Sequence, residues 1–448
     1  MRPLIKLIKK ILGVGPSLPA NFPLYNFYHR LRGMTAAILS GFPSSKLVVI
    51  GITGTNGKTA TASMLAHVLE AAGNKVGLLT TVNFWIAGKK WVNETKMTTD
   101  SPFTTQRMLR KMVNAGCRYA VMETSSHALA QHRTWGTFYD VAVFTNLTQD
   151  HLDYHRTMAN YRDAKAKLFR DLYDSWRKPN TPKVMVLNFD DPIHSHFGQY
   201  PADAKMLYSM QETDLPDMLR ATDIESTSAH SKFTLRAPSG SANITLQIPG
   251  RFNIANALAA ASTAYALGFS VEQIKIGLEA IAGIAGRMER IDAGQPFNVI
   301  VDYAHTPDGY DKALSSIRQF TPNKLIVVFG SAGDRDKTKR PLLGEIAGRY
   351  ADILVLTEED PGSEDPAKII AEVRAGIPTD KFAEDQNLFV IPRREDAVPK
   401  ALSLASASGD TVAFLALGAQ TKMVRRKGLM DYDERKYIRN LLQSTVGH

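Results

Sequence analysis

Residues 46–63 read KLVVIGITGTNGKTATAS, and the fold turns on what the Gly-rich middle of this stretch does. Lys46 to Thr53 is a hydrophobic run that reads as a buried strand. A Gly/Thr/Asn turn follows, and Lys58 and Thr59 open an Ala-rich helical stretch closed by Gly73. Strand, Gly turn and helix start together present backbone N–H groups and a positive helix end to a phosphate, with a lysine ammonium and a hydroxyl beside them. The count departs from the strict phosphate-loop pattern, which places four residues between its first Gly and the Gly-Lys pair. Five residues separate Gly51 from Gly57, and a spacing of four would put Ile52 in the Gly position. A chance Gly turn before a helix is the competing reading. The flanking strand and helix favour a nucleotide loop in which Gly54 carries the tight turn.

Working outward, strands and helices alternate. KVGLLTTV, CRYAVMETS, YDVAVFTNL and KVMVLNFDD read as strands; SPFTTQRMLRKMVNAG and ANYRDAKAKLFRDLY read as helices. Between about Leu207 and Pro249 short alternating strands such as SKFTLRAP and ANITLQIPG take over, followed by the Ala-rich helix NIANALAAASTAYALG. A second alternation starts after Ala285 with FNVIVDYAH, DKALSSIRQF, KLIVVFGSAG, PLLGEIAGRY and ADILVLTEED. This pattern predicts an α/β fold. A short helical N-terminal segment (1–46) precedes a central P-loop-type domain with a mostly parallel sheet (47–285), and a C-terminal Rossmann-like α/β domain (286–448) follows.

The length of 448 residues, 44% hydrophobic and 22% charged, suits two or three globular domains. No apolar run reaches the roughly 18 residues of a spanning helix. The opening MRPLIKLIKKILGVG interleaves Lys with apolar residues, unlike a signal-peptide core. The single Cys117 excludes an internal disulfide and a Cys-rich zinc site, so a cytoplasmic enzyme is expected. The net charge of +10 is uneven: the first acid is Glu70, after eight basic residues. With no zinc-finger or RNA-recognition signature beside it, this segment is not read as nucleic-acid binding. Ile5, Ile8, Ile11 and Leu12, with Lys6, Lys9 and Lys10 between them, predict a short amphipathic helix suited to weak contact with an anionic membrane surface. A solvated basic tail is the alternative.

TGTNGKT is also the signature loop of the Mur ligase superfamily, the ATP-dependent amide-forming enzymes of peptidoglycan precursor synthesis. The chain resembles this family from about Lys46 onward, its MurE branch most. METSSHALAQHR, FTNLTQDHLDYHRTMANYRDAKAKLF, RFNIANALAA, GRMERI, VDYAHTPDG, GSAGDRDKTKRP and SEDP follow in the family's order. The resemblance implies ligation of an amino acid to a muramoyl-peptide nucleotide through an acyl phosphate, by a monomer using ATP and Mg²⁺. Gly54, Thr55, Asn56, Gly57, Lys58 and Thr59 would hold the nucleotide phosphates, Asn256 the adenine, Asp302 the ribose and Arg287 the γ-phosphate. Thr59, Glu123, His151 and Lys165 would hold metal, Lys165 as a CO₂-derived carbamate; Lys167 is its rival, and the Y…AK…LF spacing selects Lys165. Thr98, Thr99, Ser125, Ser126, His127 and Asp360 would lie along the acceptor and amino-acid path. Taken singly, His151 reads as a structural His, Asn256 as a helix cap and Arg287 as a surface residue.

Three departures carry consequences. Only about 46 residues precede the first strand, so UDP binding is expected to be done differently from the family's roughly hundred-residue N-terminal domain. EEDPG replaces the DNPR motif of diaminopimelate-adding enzymes, putting Gly362 in place of its Arg, so selection for diaminopimelate is not expected. LGAQT replaces GKGHE, with Thr421 where that segment has Glu. Folylpolyglutamate synthase and a degraded nucleotide-binding scaffold of wall synthesis are the alternatives. SSHAL and HLDYH argue against the first, and the intact Lys58, Thr59, Glu123, His151, Lys165 and Arg287 against the second. The amidating relative MurT usually carries a Cys-rich zinc insert, which one Cys cannot supply.

Overall fold

A computed structural model describes residues 23–212 and 217–446. The amphipathic stretch Ile5 to Leu12 lies outside the described residues. The eleven strands of the first sheet are β1 (Val48–Thr53), β2 (Val76–Leu79), β3 (Asn83–Ile86), β4 (Lys89–Val92), β5 (Tyr119–Glu123), β6 (Val141–Phe144), β7 (Val184–Asn188), β8 (Ala204–Ser209), β9 (Met218–Ser226), β10 (Ser231–Ala237) and β11 (Gly240–Leu246). Their order is β11-β10-β9-β8-β7-β6-β1-β5-β2-β3-β4. The seven strands from β9 to β2 pair in parallel. The two ends of the sheet are antiparallel.

Strands buried on both faces read as unbroken apolar runs, and β1, β5 and β6 do so. The hairpin β3–β4 lacks any such run: β4 is exposed throughout, and Ala87 and Gly88 both take positive φ in its tight turn. Behind the sheet, the helix Lys58–Ala71 packs on the Ala-rich helix Arg251–Ala266 and on Val271–Glu279. Small side chains permit this closeness; a Cβ on Gly277 would lie 2.4 Å from the Val68 Cα.

The second sheet has β12 (Glu289–Arg290), β13 (Asn298–Val301), β14 (Leu325–Phe329), β15 (Ile353–Leu356), β16 (Leu388–Val390) and β17 (Thr411–Phe414), in the order β12-β13-β17-β14-β15-β16. All but β12 pair in parallel. A separate hairpin joins β18 (Lys422–Arg425) to β19 (Gly428–Asp431). The expected α/β class, with a large mostly parallel sheet and a second sheet, is the observed one.

The first described helix, Pro23–Leu39, lies on the helix Pro102–Asn114 and buries His29, Gly33, Ala36 and Ala37 at helical spacing. A Cβ on Gly33 would meet the His132 carbonyl at 2.6 Å. Its outer face leaves Phe27, Leu31, Ile38 and Leu39 exposed. Among the described residues, no helix is long and apolar enough to cross a membrane.

Candidate active site

β1 sits between β5 and β6, with Ile52 level with Glu123 and Thr53 level with Phe144. The loop leaving β1 is therefore flanked by the carboxyl ends of two neighbours, where an open α/β sheet puts its ligands. Gly54 is required by close approach: a Cβ would lie 1.9 Å from Thr145 Oγ1. Thr145 Oγ1 donates to the Asn56 carbonyl at 2.7 Å, Thr55 N–H donates to the Asn146 carbonyl at 2.8 Å, and Asn56 N–H donates to Asn146 Oδ1 at 2.9 Å. Gly57 has φ 84°, and a Cβ there would meet Asn256 Oδ1 at 2.1 Å. The helix starts at Lys58 with no side-chain cap, leaving its first N–H groups for a ligand. Gly51 has a different task, because a Cβ there would strike Leu168 and Tyr139 at 2.7 Å. It is a packing glycine inside β1, which is why the strict loop count fails.

Lys58 Nζ turns back to donate to the Gly54 and Thr55 carbonyls at 3.0 and 2.8 Å. Burial lowers its pKa, with Glu123 opposing. Glu123 Oε2 accepts from Thr59 Oγ1 at 3.0 Å and from the N–H and hydroxyl of Thr81 at 2.8 and 3.0 Å. Arg287, arriving from the second sheet's side, donates to Thr59 Oγ1 at 3.0 Å and lies 4.6 Å over the Tyr303 ring. Its Nε is buried without a partner among the described residues. The Asp302 carboxylate accepts the Met288 and Ala304 N–H groups, each at 2.7 Å. Asn56 Nδ2 donates to Asp308 at 2.7 Å, so the loop itself touches the helix Pro307–Gln319 after β13.

His151 holds left-handed backbone at φ 56° and its Nε2 lies 3.2 Å from Asp150 Oδ2. Burial pushes the imidazole down to about 3, against the pull of Asp150. Burial resists ionisation of Asp150, yet His151, Lys339 and His305 hold its carboxyl well below the usual range. Lys165, on the helix Met158–Asp174, is buried, donates to the Gly54 carbonyl at 2.6 Å and lies 4.4 Å over the Tyr161 ring. Burial and the nearby Lys58 lower its pKa well below that of a free lysine. Lys167 is only half-buried.

Two cavities meet at the loop. One of about 830 Å³ is lined by Asn56, Gly57, Asn253, Asn256, Asp302 and Lys312, among others. The other, about 390 Å³, is lined by Lys58, Thr59, Thr98, Glu123, Ser125, His127, His151 and Asp360, together with Thr81, Lys96, His305 and Lys339. Both are bounded by Asn56, Gly57, Arg287 and Tyr303. Two of the expected path residues turn elsewhere. Ser126 bonds His155 Nε2 at 3.0 Å and is buried, and Thr99 donates to the Glu123 carbonyl at 2.8 Å. Asp360 is held by Lys96 at 2.8 Å and by the Val424 N–H at 2.7 Å.

Sequence reading did not single out Thr81, Lys96, His305 or Lys339. His305 and Lys339 lie inside the quoted VDYAHTPDG and GSAGDRDKTKRP, so motif membership was their only signal. Among the described residues no three His, Cys, Asp or Glu side chains are arranged to hold an ion. Glu123 and His151 are each engaged by other partners. Chemically, the arrangement can gather anions: a helix start, Lys58 and Arg287 converge where the cavities join.

Residues 52–264 match the Mur ligase middle domain and residues 286–418 the Mur ligase, glutamate ligase domain. The chain is 41% identical over 413 residues to a UDP-N-acetylmuramyl-tripeptide synthetase of Roseiflexus sp. (strain RS-1), covering 91% of this chain and 81% of that protein. The chain belongs to the Mur ligase family. A second Mur ligase, the UDP-N-acetylmuramoyl-L-alanyl-D-glutamate–2,6-diaminopimelate ligase of Geobacillus thermodenitrificans (strain NG80-2), is 42% identical over 92% of this chain and 82% of its own. A solved structure of a ligase of that description is 29% identical, with TM-score 0.61 over 90% of this chain and 79% of that one. Mycobacterium tuberculosis folylpolyglutamate synthase complexed with ADP has TM-score 0.69 at 20% identity, covering 87% of this chain and 92% of its own, a likeness of fold.

Proposed function

We propose that this Mur ligase joins an amino acid to a muramoyl-peptide nucleotide, using ATP to activate the acceptor carboxylate as an acyl phosphate. The carrying observation is the chain Arg287–Thr59–Glu123 at the junction of the two cavities. ATP is assigned to the larger cavity and the acceptor to the smaller, so the γ-phosphoryl and the carboxylate meet beside Lys58 and Arg287. The γ-phosphoryl passes to a carboxylate oxygen and ADP leaves; the amine then attacks the acyl carbon and phosphate departs. Bringing two anions together is the main cost, and the two cations and the helix start offset it.

The residues fit a bound Mg²⁺ in part. Thr59 Oγ1 and Glu123 Oε2 are oxygen donors 3.0 Å apart, of the type a hard cation takes, and would hold it. When bound, Mg²⁺ neutralises phosphate charge. His151 and Lys165 belong to the same reading, with Lys165 carrying a carbamate: its lowered pKa favours the neutral amine that CO₂ requires. A domain division near Ala285, a monomeric state and a cytoplasmic location belong to the same proposal. The basic N-terminus is proposed to make weak contact with an anionic membrane surface.

The added amino acid is proposed to lack a distal carboxylate. Gly362 has φ 60°, and a Cβ there would lie 2.2 Å from Asp334 Oδ2, so a carboxylate, not a guanidinium, occupies that corner. The test is a screen of amino acids with UDP-N-acetylmuramoyl-L-alanyl-D-glutamate, ATP and Mg²⁺, scored by phosphate release and product mass. A new mass of acceptor plus amino acid minus water is expected. Phosphate release independent of both acceptor and amine would overturn the proposal.

A further inference from the structure

Arg287 leaves the backbone at a turn whose shape is held from outside. On either side of it, Gly286 has φ 63° and Met288 has φ 46°, both in the left-handed region. Gly286 is there by necessity, since a Cβ would lie 2.0 Å from the Ala419 nitrogen. Methionine takes this conformation at a cost, so the surroundings must enforce it. Two carboxylates do so. Asp302 accepts the Met288 N–H at 2.7 Å, and Glu289 Oε2 reaches back to accept the Gly286 N–H at 2.8 Å. Glu289 is in turn clamped by the C-terminal helix Glu434–Val446. Arg435 donates to its Oε2 at 3.2 Å and Arg439 to its Oε1 at 2.6 Å. That helix is itself fixed: Ile438 and Leu442 are buried, and Glu434 pairs with the buried Arg394 at 2.6 Å. A connected line therefore runs from the helix through Glu289 and the turn to Arg287, whose guanidinium crosses to Thr59 Oγ1 at 3.0 Å.

Resting on the ligase reading above, we infer that Glu289 is a positioning residue for phosphoryl transfer, touching no substrate and acting through Arg287. The guanidinium depends on the turn for its aim. Besides Thr59 it has the Tyr303 ring at 4.6 Å, and its Nε has no partner among the described residues. Without Glu289 the Gly286 N–H loses its acceptor, the turn relaxes and the guanidinium shifts. A displacement of about 1 Å at a reacting group is enough to lower the rate up to about a hundredfold. Arg287 faces charge that moves as the γ-phosphoryl is transferred, so the loss falls on kcat more than on KM. The competing view is that Glu289 only ties the helix to β12. Such a tie would change stability and leave the turnover of folded enzyme alone.

The test measures kcat, KM for ATP and urea unfolding with UDP-N-acetylmuramoyl-L-alanyl-D-glutamate and the amino acid selected by the mass screen. The proteins are wild type, Glu289→Ala, Arg439→Ala, Arg287→Lys and the double variant Glu289→Ala/Arg287→Lys. Glu289→Ala is expected to lose about tenfold to a hundredfold in kcat, with KM for ATP changed by less than about threefold. In the Arg287→Lys background the same substitution should cause little further loss, because both act at one guanidinium. Should Glu289→Ala fail to fold, Arg439→Ala carries the comparison, since Arg439 is 45% exposed and its removal spares the core. It is expected to show a smaller loss of the same kind, about threefold or more in kcat. Wild-type kcat in the folded variant, or losses that multiply in the double variant, would overturn the inference and leave the ligase reading standing. Failure of wild type to form product would overturn the ligase reading itself.

Discussion

Replacing Gly57 by Ala isolates what the loop geometry contributes. At φ 84° a Cβ costs about 1–2 kcal/mol from left-handed strain alone. It would also sit 2.1 Å from Asn256 Oδ1, forcing that amide to turn and break its 3.1 Å bond from Nδ2 to Asn253 Oδ1. The lost bond adds about 1 kcal/mol, for a total of about 2–3 kcal/mol. The loss can appear in two places. If the loop keeps its shape, folding stability falls by that amount. If it relaxes, the N–H groups at the helix start turn away and nucleotide affinity falls, tenfold for each roughly 1.4 kcal/mol. The two losses together are predicted to reach about 2–3 kcal/mol, measured by urea unfolding and by calorimetric titration with ATP. Gly73→Ala is the control, since Gly73 has φ 80° with open space around it and should lose only the strain. A combined loss for Gly57→Ala no greater than for Gly73→Ala, with unaltered ATP affinity, would mean that the contact with Asn256 does not constrain the loop.

Other outcomes follow from the same geometry. Lys165→Ala is expected to be nearly inactive, with partial recovery when short carboxylates are added to fill the vacated position; full activity of wild type in CO₂-free buffer, with unmodified lysine by mass, would count against the carbamate. Competition between meso-diaminopimelate and L-lysine is expected to show no preference for the former, since the absent guanidinium pair is worth about 1.5–3 kcal/mol. Strong selection for diaminopimelate would mean another cation has taken over. Deleting residues 1–15 is expected to abolish weak, salt-sensitive sedimentation with anionic vesicles and to spare ligation, at about 1 kcal/mol per basic residue near the surface. Sedimentation unchanged by the deletion would remove the membrane reading.

The fold class was legible because its signals are local. Unbroken apolar runs became β1, β5 and β6, and the Ala-rich stretch, composed largely of strong helix formers, became the helix Arg251–Ala266. The β3–β4 hairpin escaped because its turn, Ala87-Gly88, lacks the Asn-Gly or Asp-Gly signal and its outer strand has no buried face. At the site, spacing selected Lys165 over Lys167, and the helix buries the first and half-exposes the second. Direction was not legible. Ser125 and Ser126 are adjacent, yet one lines the cavity and the other turns inward to His155. Nor could sequence order bring Lys96 to Asp360, or His305 and Lys339 to Asp150, because the folding of separate elements creates those pairs.

The proposed reaction requires transfer of a γ-phosphoryl group to the acceptor carboxylate before the amine attacks. Labelling that carboxylate with ¹⁸O and measuring the released phosphate by mass tests it directly. An acyl phosphate requires one labelled oxygen to leave with each phosphate formed, in step with amide product. Amide formed together with unlabelled phosphate would exclude an acyl phosphate.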